Sequence, residues 1–270
     1  MNVQQPLVSI LLSVWNGSDG LKDALESLRK QTYQNIEILI MNDASTDGSA
    51  VVIEQFKKND SRCKVFTHVK NRGLTKSLNE LAKQANGEFL ARMDADDVAE
   101  PDRIEKQIQY LMQHPSVAVC GTRGLLMNED NGTKTDMNVP IGIISKKQLI
   151  YHNQCLHPSL VIRRFVFETV GGYDERFKRS QDYELLLRIL RIAPIANIPE
   201  RLIRYRFSSH SFLRYGKKQE WYAIRARMKA MLGGGYPVWF GLCMVSTRCI
   251  WLLVPQSMKF KKTYGYRQKS

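Results

Sequence analysis

Residues 8–14, VSILLSV, form an apolar run of strand length that ends at the turn-like pair Asn16 and Gly17. The period then changes, and Leu21, Ala24, Leu25 and Leu28 recur at the spacing of one helix face. The alternation continues: residues 36–41 read as a second strand, Val52 and Phe56 mark a second helix, and Val65 and Phe66 sit in a third strand. Leu74, Leu78, Leu81, Ala82 and Ala85 line a third helix, which Gly87 stops ahead of a fourth strand at 88–93. Strands alternating with helices of this length predict an α/β fold, a mainly parallel sheet with helices on both faces.

The second half is less regular. Ile104, Ile108, Leu111 and Met112 predict a helix begun by Pro101, and residues 117–120 another strand. Residues 128–133, NEDNGT, read as a turn. Residues 183–192 read as a helix, with Asp182 and Glu184 at its start where acids suit the positive end of the helix dipole.

In parallel sheets ligands bind beyond the carboxyl ends of the strands. The polar clusters of this chain fall there: Trp15 and Asn16 after the first strand, Asn42 and Asp43 after the second, Asn71 and Arg72 after the third, and residues 94–97, DADD, after the fourth. Asp94 and Asp96, carried past the strand end, can point at a common centre. A divalent cation there would remove their repulsion, because Mg²⁺ and Mn²⁺ take oxygen ligands and leave positions for phosphates and water. The chain contains no Gly-rich phosphate loop of either common pattern, so a diphosphate ligand would need this metal route. On spacing alone, the same acids also read as extra charge ahead of the Pro101 helix, and Asp182 as a simple N-cap acid.

Composition narrows the class. At 270 residues, with 43% hydrophobic and 24% charged, the chain can bury a sizeable core and is neither disordered nor fibrous. The formal charge of +14 is localised: residues 201–270 hold 15 Lys/Arg against one acid, Glu220, while residues 1–200 hold 25 of each sign. Such a patch calls for an anionic partner, nucleic acid or an acidic membrane surface. Cys63, Cys120, Cys155, Cys243 and Cys249 are odd in number and lack a C-x-x-C pair, which predicts free thiols. The N-terminus lacks the basic start of a signal peptide, so secretion is not expected.

Several runs together carry a family resemblance: VSILLSVWN at 8–16, NDASTDGS at 42–49, NRGL at 71–74, ARMDADD at 91–97 with Pro101 and Arg103, HPS at 157–159, GGYDERF at 171–177 and QDYEL at 181–185. In this order, over about residues 7–210, they resemble the family 2 glycosyltransferases of the GT-A fold. The resemblance implies inverting transfer of a sugar from a nucleotide-diphosphate donor, with uridine as the family's commonest base, to a saccharide or lipid-linked saccharide acceptor. It implies that Asp43 reads the base beside Trp15 and Asn16, and that Arg72 and Arg92 serve the nucleotide and diphosphate region. Asp94 is similar to the aspartate near ribose and metal, and Asp96, after Ala95, to the principal ligand of Mn²⁺ or Mg²⁺. Asp182 matches the catalytic base, expected to stay ionised at its helix start, although Gln181 stands where relatives often carry Glu. His210 lies where relatives often carry a histidine that contacts metal or phosphate; a surface histidine in a basic segment is the alternative. His157 reads as mainly structural.

On this basis residues 1–210 form the transferase domain, with the nucleotide-sugar half at about 1–98 and the acceptor half at about 99–210, followed by a basic extension at 211–270. Residues 236–255, YPVWFGLCMVSTRCIWLLVP, are apolar but interrupted by Arg248. An arginine at the centre of a span costs about 2.5–3.5 kcal/mol even on lenient scales. Aromatic residues near the ends, with Lys259, Lys261, Lys262, Arg267 and Lys269 beyond, better fit a helical segment lying in a membrane interface. No nucleic-acid motif accompanies the charge, so nucleic acid is not expected. The expected setting is the cytoplasmic face of the cell membrane, in bacterial surface-polysaccharide synthesis. A nucleotidyltransferase and a non-catalytic binding protein on the same fold are the rivals; the first should show a Gly-rich phosphate loop near the N-terminus, the second a loss of Asp96 or Asp182.

Overall fold

Side-chain alternation along the early strands decides how the layers form. In strand β1 (Val8–Val14), Val8, Ile10, Leu12 and Val14 enter one core cluster while Leu11 enters another. The structure, a computed structural model, describes residues 5–128, 131–207 and 209–253. After β1 come α1 (Ser18–Arg29), β2 (Ile36–Asn42), α2 (Ser49–Asn59), β3 (Cys63–Thr67), α3 (Leu74–Gln84) and β4 (Phe89–Met93). The second half holds β5 (Val98–Ala99), α4 (Arg103–Gln113), β6 (Val119–Asn128), β7 (Lys134–Met137), β8 (Gly142–Ile143) and α5 (Lys146–Tyr151). A 3₁₀ turn at His157–Ser159 leads to β9 (Val161–Arg163), α6 (Arg164–Thr169), α7 (Gln181–Ile189), β10 (Ile195–Phe207), α8 (Ser209–Leu232) and α9 (Val238–Leu253).

The main sheet runs β3-β2-β1-β4-β9-β6-β10-β5, with β7 on β6 and β8 on β10. The β3-β2-β1-β4 run is parallel throughout, as is the β6–β10 pair, whereas β9 is antiparallel to both β4 and β6. Helices α1, α2 and α4 cover one face through residues such as Leu25, Phe56 and Ile108. On the other, α3, α6 and α7 pack through Leu78, Phe167 and Leu186, and α8 joins them with Ala226 and Ala230. Because the parallel strands share a direction, the ends of β1, β2, β3 and β4 open on one edge.

Several elements differ from the sequence reading, among them α5, α6, β7, β8 and β10, which periodicity does not give, and α7, which runs from Gln181 to Ile189; two of the differences show the physical reason. The strand expected at 117–120 begins at Val119 and continues to Asn128, because β10 and β7 offer long pairing partners that local periodicity does not reveal. The three-residue β9 is too short to carry a period, and only its neighbours β4 and β6 make it a strand. At the two ends of the turn expected at 128–133, the Asn128 amide donates to the Thr133 carbonyl at 2.9 Å; residues 129 and 130 lie outside the described residues. Cys63, Cys120, Cys155 and Cys243 are unpaired thiols, as expected.

The α8–α9 hairpin turns at Gly234 and Gly235, whose φ of +75° and +83° favour glycine. Tyr236 then anchors it, its hydroxyl donating to the Leu187 carbonyl at 2.8 Å. Among the described residues no helix is long and apolar enough to cross a membrane. Lys259, Lys261, Lys262, Arg267 and Lys269 lie outside the described residues.

At the pole opposite the open strand ends, buried Glu37 fastens three elements together. It accepts from the Ser9 hydroxyl at 2.6 Å, the Asn86 amide N–H at 2.7 Å and Lys64 Nζ at 2.8 Å. Burial opposes its charge, but these donors outweigh it and bring its pKa down to about 2. A carboxylate whose folded pKa is depressed stabilises above its ordinary pKa near 4.5, and that stability is lost as pH falls toward 2. Glu37→Gln is therefore expected to cost about 1–3 kcal/mol at pH 7, the range for a lost charged hydrogen-bond partner. Urea denaturation at pH 7 and pH 3 checks it: the gap to the parent should shrink at the lower pH, and a gap constant with pH would contradict the account.

Candidate functional site at the carboxyl ends of the strands

Strand β4 ends in Arg92 and Met93, and alternation sends them to opposite faces. Met93 joins the cluster under α1 and α4, so Arg92 faces the α7 side. Its guanidinium is buried, pairs with the Asp94 carboxylate, and leaves Nε and Nη1 without a hydrogen-bond partner. Burial works against the charge, yet Asp94 holds the pKa above that of an ordinary arginine. A buried cation with two unmet donors suits an incoming anion.

Asp94, Asp96 and Asp97 each offer an oxygen within 4.8 Å of the others. Asp97 is fully buried, accepts the Arg206 amide at 3.1 Å, and keeps Oδ2 unpartnered. Burial, followed by repulsion from Asp94 and Asp96, pushes its pKa up to about 9. Three hard oxygen donors crowded at a strand end, one with an unmet lone pair, fit Mn²⁺ or Mg²⁺. Gly20 of α1 lies against them so closely that an added Cβ would sit 2.8 Å from the Asp96 Cα. From behind, Arg103 of α4 donates to the Arg92 carbonyl at 2.7 Å and Gln107 to the Cys120 and Ser159 carbonyls at 2.6 and 2.8 Å. Nothing in local periodicity separates Gln107 from the exposed polar positions of its helix.

The other expected residues line the same edge. Trp15 is 59% exposed, and Asn16, at a φ of +50°, accepts the Thr46 amide at 2.8 Å, tying the end of β1 to the loop after β2. Asp43 is buried and accepts the Arg72 and Gly73 amides at 2.8 and 2.7 Å, which fastens the loop after β3 to the end of β2. His68 bridges Asp43 and Glu80 at 2.6 Å each; burial disfavours its charge, but the two carboxylates raise its pKa. The Arg72 side chain turns to Glu80 at 2.5 Å. Ala95 spans Asp94 and Asp96 and packs against the cluster under α1.

Asp182 opens α7 on the face to which Arg92 points. Its pKa is raised, in contrast to the ordinary value expected of a helix-start acid. Burial is the main cause, opposed by the Tyr183 amide, by Asn153, which donates at 2.8 Å, and by Arg92. Tyr173 and His157 sit beside them, with His157 Nε2 2.9 Å from the Tyr173 hydroxyl. Burial, followed by the nearby Arg92 charge, holds His157 well below its usual pKa, so it packs as a neutral ring. Asn153 and Tyr173 are absent from the sequence-based site because their role comes from contacts far apart in the chain. The side chain of His210 lies outside the described residues.

The chain matches the model of Glycosyl transferase family 2 over residues 9–171. Putative glycosyltransferase EpsE of Bacillus subtilis (strain 168) is 31% identical over 217 residues, covering 77% of this chain and 76% of the relative. Amylovoran biosynthesis glycosyltransferase AmsE of Erwinia amylovora is 29% identical over 227 residues, covering 83% and 84%. An uncharacterized glycosyltransferase of Haemophilus influenzae is 30% identical, and there the match covers 74% of this chain and 65% of the relative. Two solved structures share the fold. S. aureus TarS 1-349 in complex with UDP-GlcNAc has a TM-score of 0.72 at 18% identity, covering 97% of this chain and 76% of that one. Mannosyltransferase PcManGT from Pyrobaculum calidifontis, in complex with GDP-Man and Mn²⁺, has a TM-score of 0.71 at 14% identity, covering 98% and 83%. With the family match spanning more than half of its length and the GT-A sheet in place, the chain belongs to glycosyltransferase family 2.

Proposed function

We propose that this protein is a metal-dependent, inverting glycosyltransferase that moves a sugar from a nucleotide-diphosphate donor, a UDP-sugar, to a hydroxyl of a saccharide or lipid-linked saccharide acceptor. The observation that carries the reading is buried Arg92, paired with Asp94 on the donor side and acting on Asp182 across the crevice. Asp96 and Asp94, with Asp97 beside them, would hold Mn²⁺ or Mg²⁺. When bound there, the cation supplies Lewis-acid stabilisation of the charge growing on the leaving diphosphate. Arg92 directs its unmet donors at the same phosphates. Trp15, Asn16, Asp43 and Arg72 line the base and ribose side, and His210 is assigned a metal or phosphate contact by the resemblance alone. Asp182 takes the proton of the acceptor hydroxyl as that oxygen attacks the anomeric carbon opposite the departing nucleotide. A pKa raised by burial brings such a base closer to working pH, where general-base catalysis is most efficient.

Assembly of a bacterial surface polysaccharide is the proposed setting, supported by the similarity to AmsE, an amylovoran biosynthesis glycosyltransferase. The proposed location is the cytoplasmic face of the membrane, with the C-terminal helices lying on anionic lipid. Trp239 is 87% exposed on α9, Trp221 and Leu232 are exposed on α8, and the charge excess of the chain is concentrated in residues 201–270. Aromatic and basic side chains on one hairpin suit the lipid interface. As a division of labour, residues 1–98 would hold the donor, 99–210 the acceptor and 211–270 the lipid surface.

Asp96→Ala is expected to weaken Mn²⁺-dependent UDP binding by at least about tenfold, or 1.4 kcal/mol. Calorimetric titration with UDP and GDP, with and without Mn²⁺, checks both the metal role and the base; unchanged affinity would remove Asp96 from the metal site. Asp182→Asn should keep UDP affinity while turnover falls by about 10²–10⁴-fold, the range for a positioned base. Full turnover in that variant would exclude Asp182 as the base. On vesicles, the full chain should sediment with phosphatidylglycerol bilayers and be released at high salt, at about 1 kcal/mol per basic residue near the surface. Equal binding to neutral phosphatidylcholine would count against the electrostatic part.

A further inference from the structure

The loop after α5 makes a contact with Asp182 whose direction is fixed. The Cys155 amide N–H can only donate, and it donates to Asn153 Oδ1 at 3.2 Å. The amide end of Asn153 must then face Asp182, and Nδ2 lies 2.8 Å from Asp182 Oδ2. With one oxygen engaged, the carboxylate cannot spin about its Cβ–Cγ bond, so its proton-accepting lone pairs hold one direction.

Helix α8 holds this loop from behind. Arg227 is buried, with Nε donating to the Ile150 carbonyl at 2.9 Å and Nη2 to the Tyr151 carbonyl at 3.2 Å. These are carbonyls at the end of α5, where a cation is favoured. The same guanidinium lies 5.0 Å over the ring of Tyr183, the residue after Asp182. Tyr183 in turn donates its hydroxyl to the Leu149 and Ile150 carbonyls at 2.8 and 3.2 Å. Asp182 and Asn153 are thus referenced to one helix end. Helix α9 joins through Arg248, 3.5 Å from Glu220 of α8.

We propose that Asn153 is a positioning residue for Asp182 and that Arg227 of α8 secures it, which makes the C-terminal helices part of the acceptor side of the site. The proposal rests on the reading of Asp182 as the base. It assigns the C-terminal hairpin a second role beside its surface, since a displacement of α8 would pass through Arg227 to the loop that aims the base. The other groups acting on Asp182 are Arg92 from β4, Tyr173 from the loop before α7, Cys155 from the Asn153 loop, and the backbone N–H groups of Asp182 and Tyr183. Arg92, Asn153 and the N–H groups favour the ionised carboxylate; the uncharged tyrosine and thiol do not.

The test is a titration of the full chain labelled with ¹³Cγ-aspartate, in which the Asp182 signal is identified by its loss in Asp182→Asn. Asn153→Leu should raise the Asp182 midpoint by about one pH unit, and Asn153→Asp, which keeps the shape and still accepts from Cys155, should raise it further. Arg227→Lys should move it in the same direction, by less. UDP release from UDP-GlcNAc should shift its acidic limb by the same amount, with KM unchanged. An unmoved midpoint in both Asn153 variants overturns the proposal whatever Asp182→Asn does. Full turnover in Asp182→Asn, with the midpoint shifts intact, would instead remove the base reading and leave the contact as structural. A parent midpoint in Arg227→Lys would overturn the link to α8.

Discussion

Crowding of like charge at the end of β4 is the constraint around which the rest of the site is arranged. Three carboxylates within reach of one cation, one of them fully buried, repel one another. A single buried guanidinium, Arg92, answers part of that repulsion by pairing with Asp94. Its own burial is offset by that same carboxylate, with Asp97 adding to it, while Arg103 holds the backbone carbonyl of the strand in place. Asp97, left protonation-prone with a bare oxygen, marks where the balance is still incomplete in the protein alone. A divalent cation would complete it.

The sheet supplies the geometry that lets Arg92 act on both Asp94 and Asp182. Period-two alternation puts the odd-numbered residues of β4 under α1 and α4 and turns Arg92 toward α7. The acids after β4 and Asp182 therefore meet through one side chain although Asp94 and Asp182 lie 88 positions apart. The antiparallel β9 between β4 and β6 joins the two parallel groups into one sheet, and Ser159, just before it, accepts from Gln107 of the supporting network.

The C-terminal helices show how composition and packing answer different questions. Charge counting marks residues 201–270 as basic and looking for an anion. It does not separate Arg227, buried over Tyr183 at the end of α5, from the arginines that face solvent. Arg248, which interrupts an apolar run, is met in the fold by Glu220 of the neighbouring helix.

The sequence by itself determined the first four strands and three helices, whose period is set by local burial on one or two faces. It also determined the polar residues at the strand ends, since the chain direction of a parallel sheet brings those ends to one edge. Only the tertiary structure decided the length of β6, the existence of β9, and the company of Asp182: Asn153, Tyr173 and Arg92. The reason is physical. A strand of three residues has no period to read, and the contacts that raise the pKa of Asp182 and fix its carboxylate come from loops and strands distant in sequence, so they exist only once the core has closed.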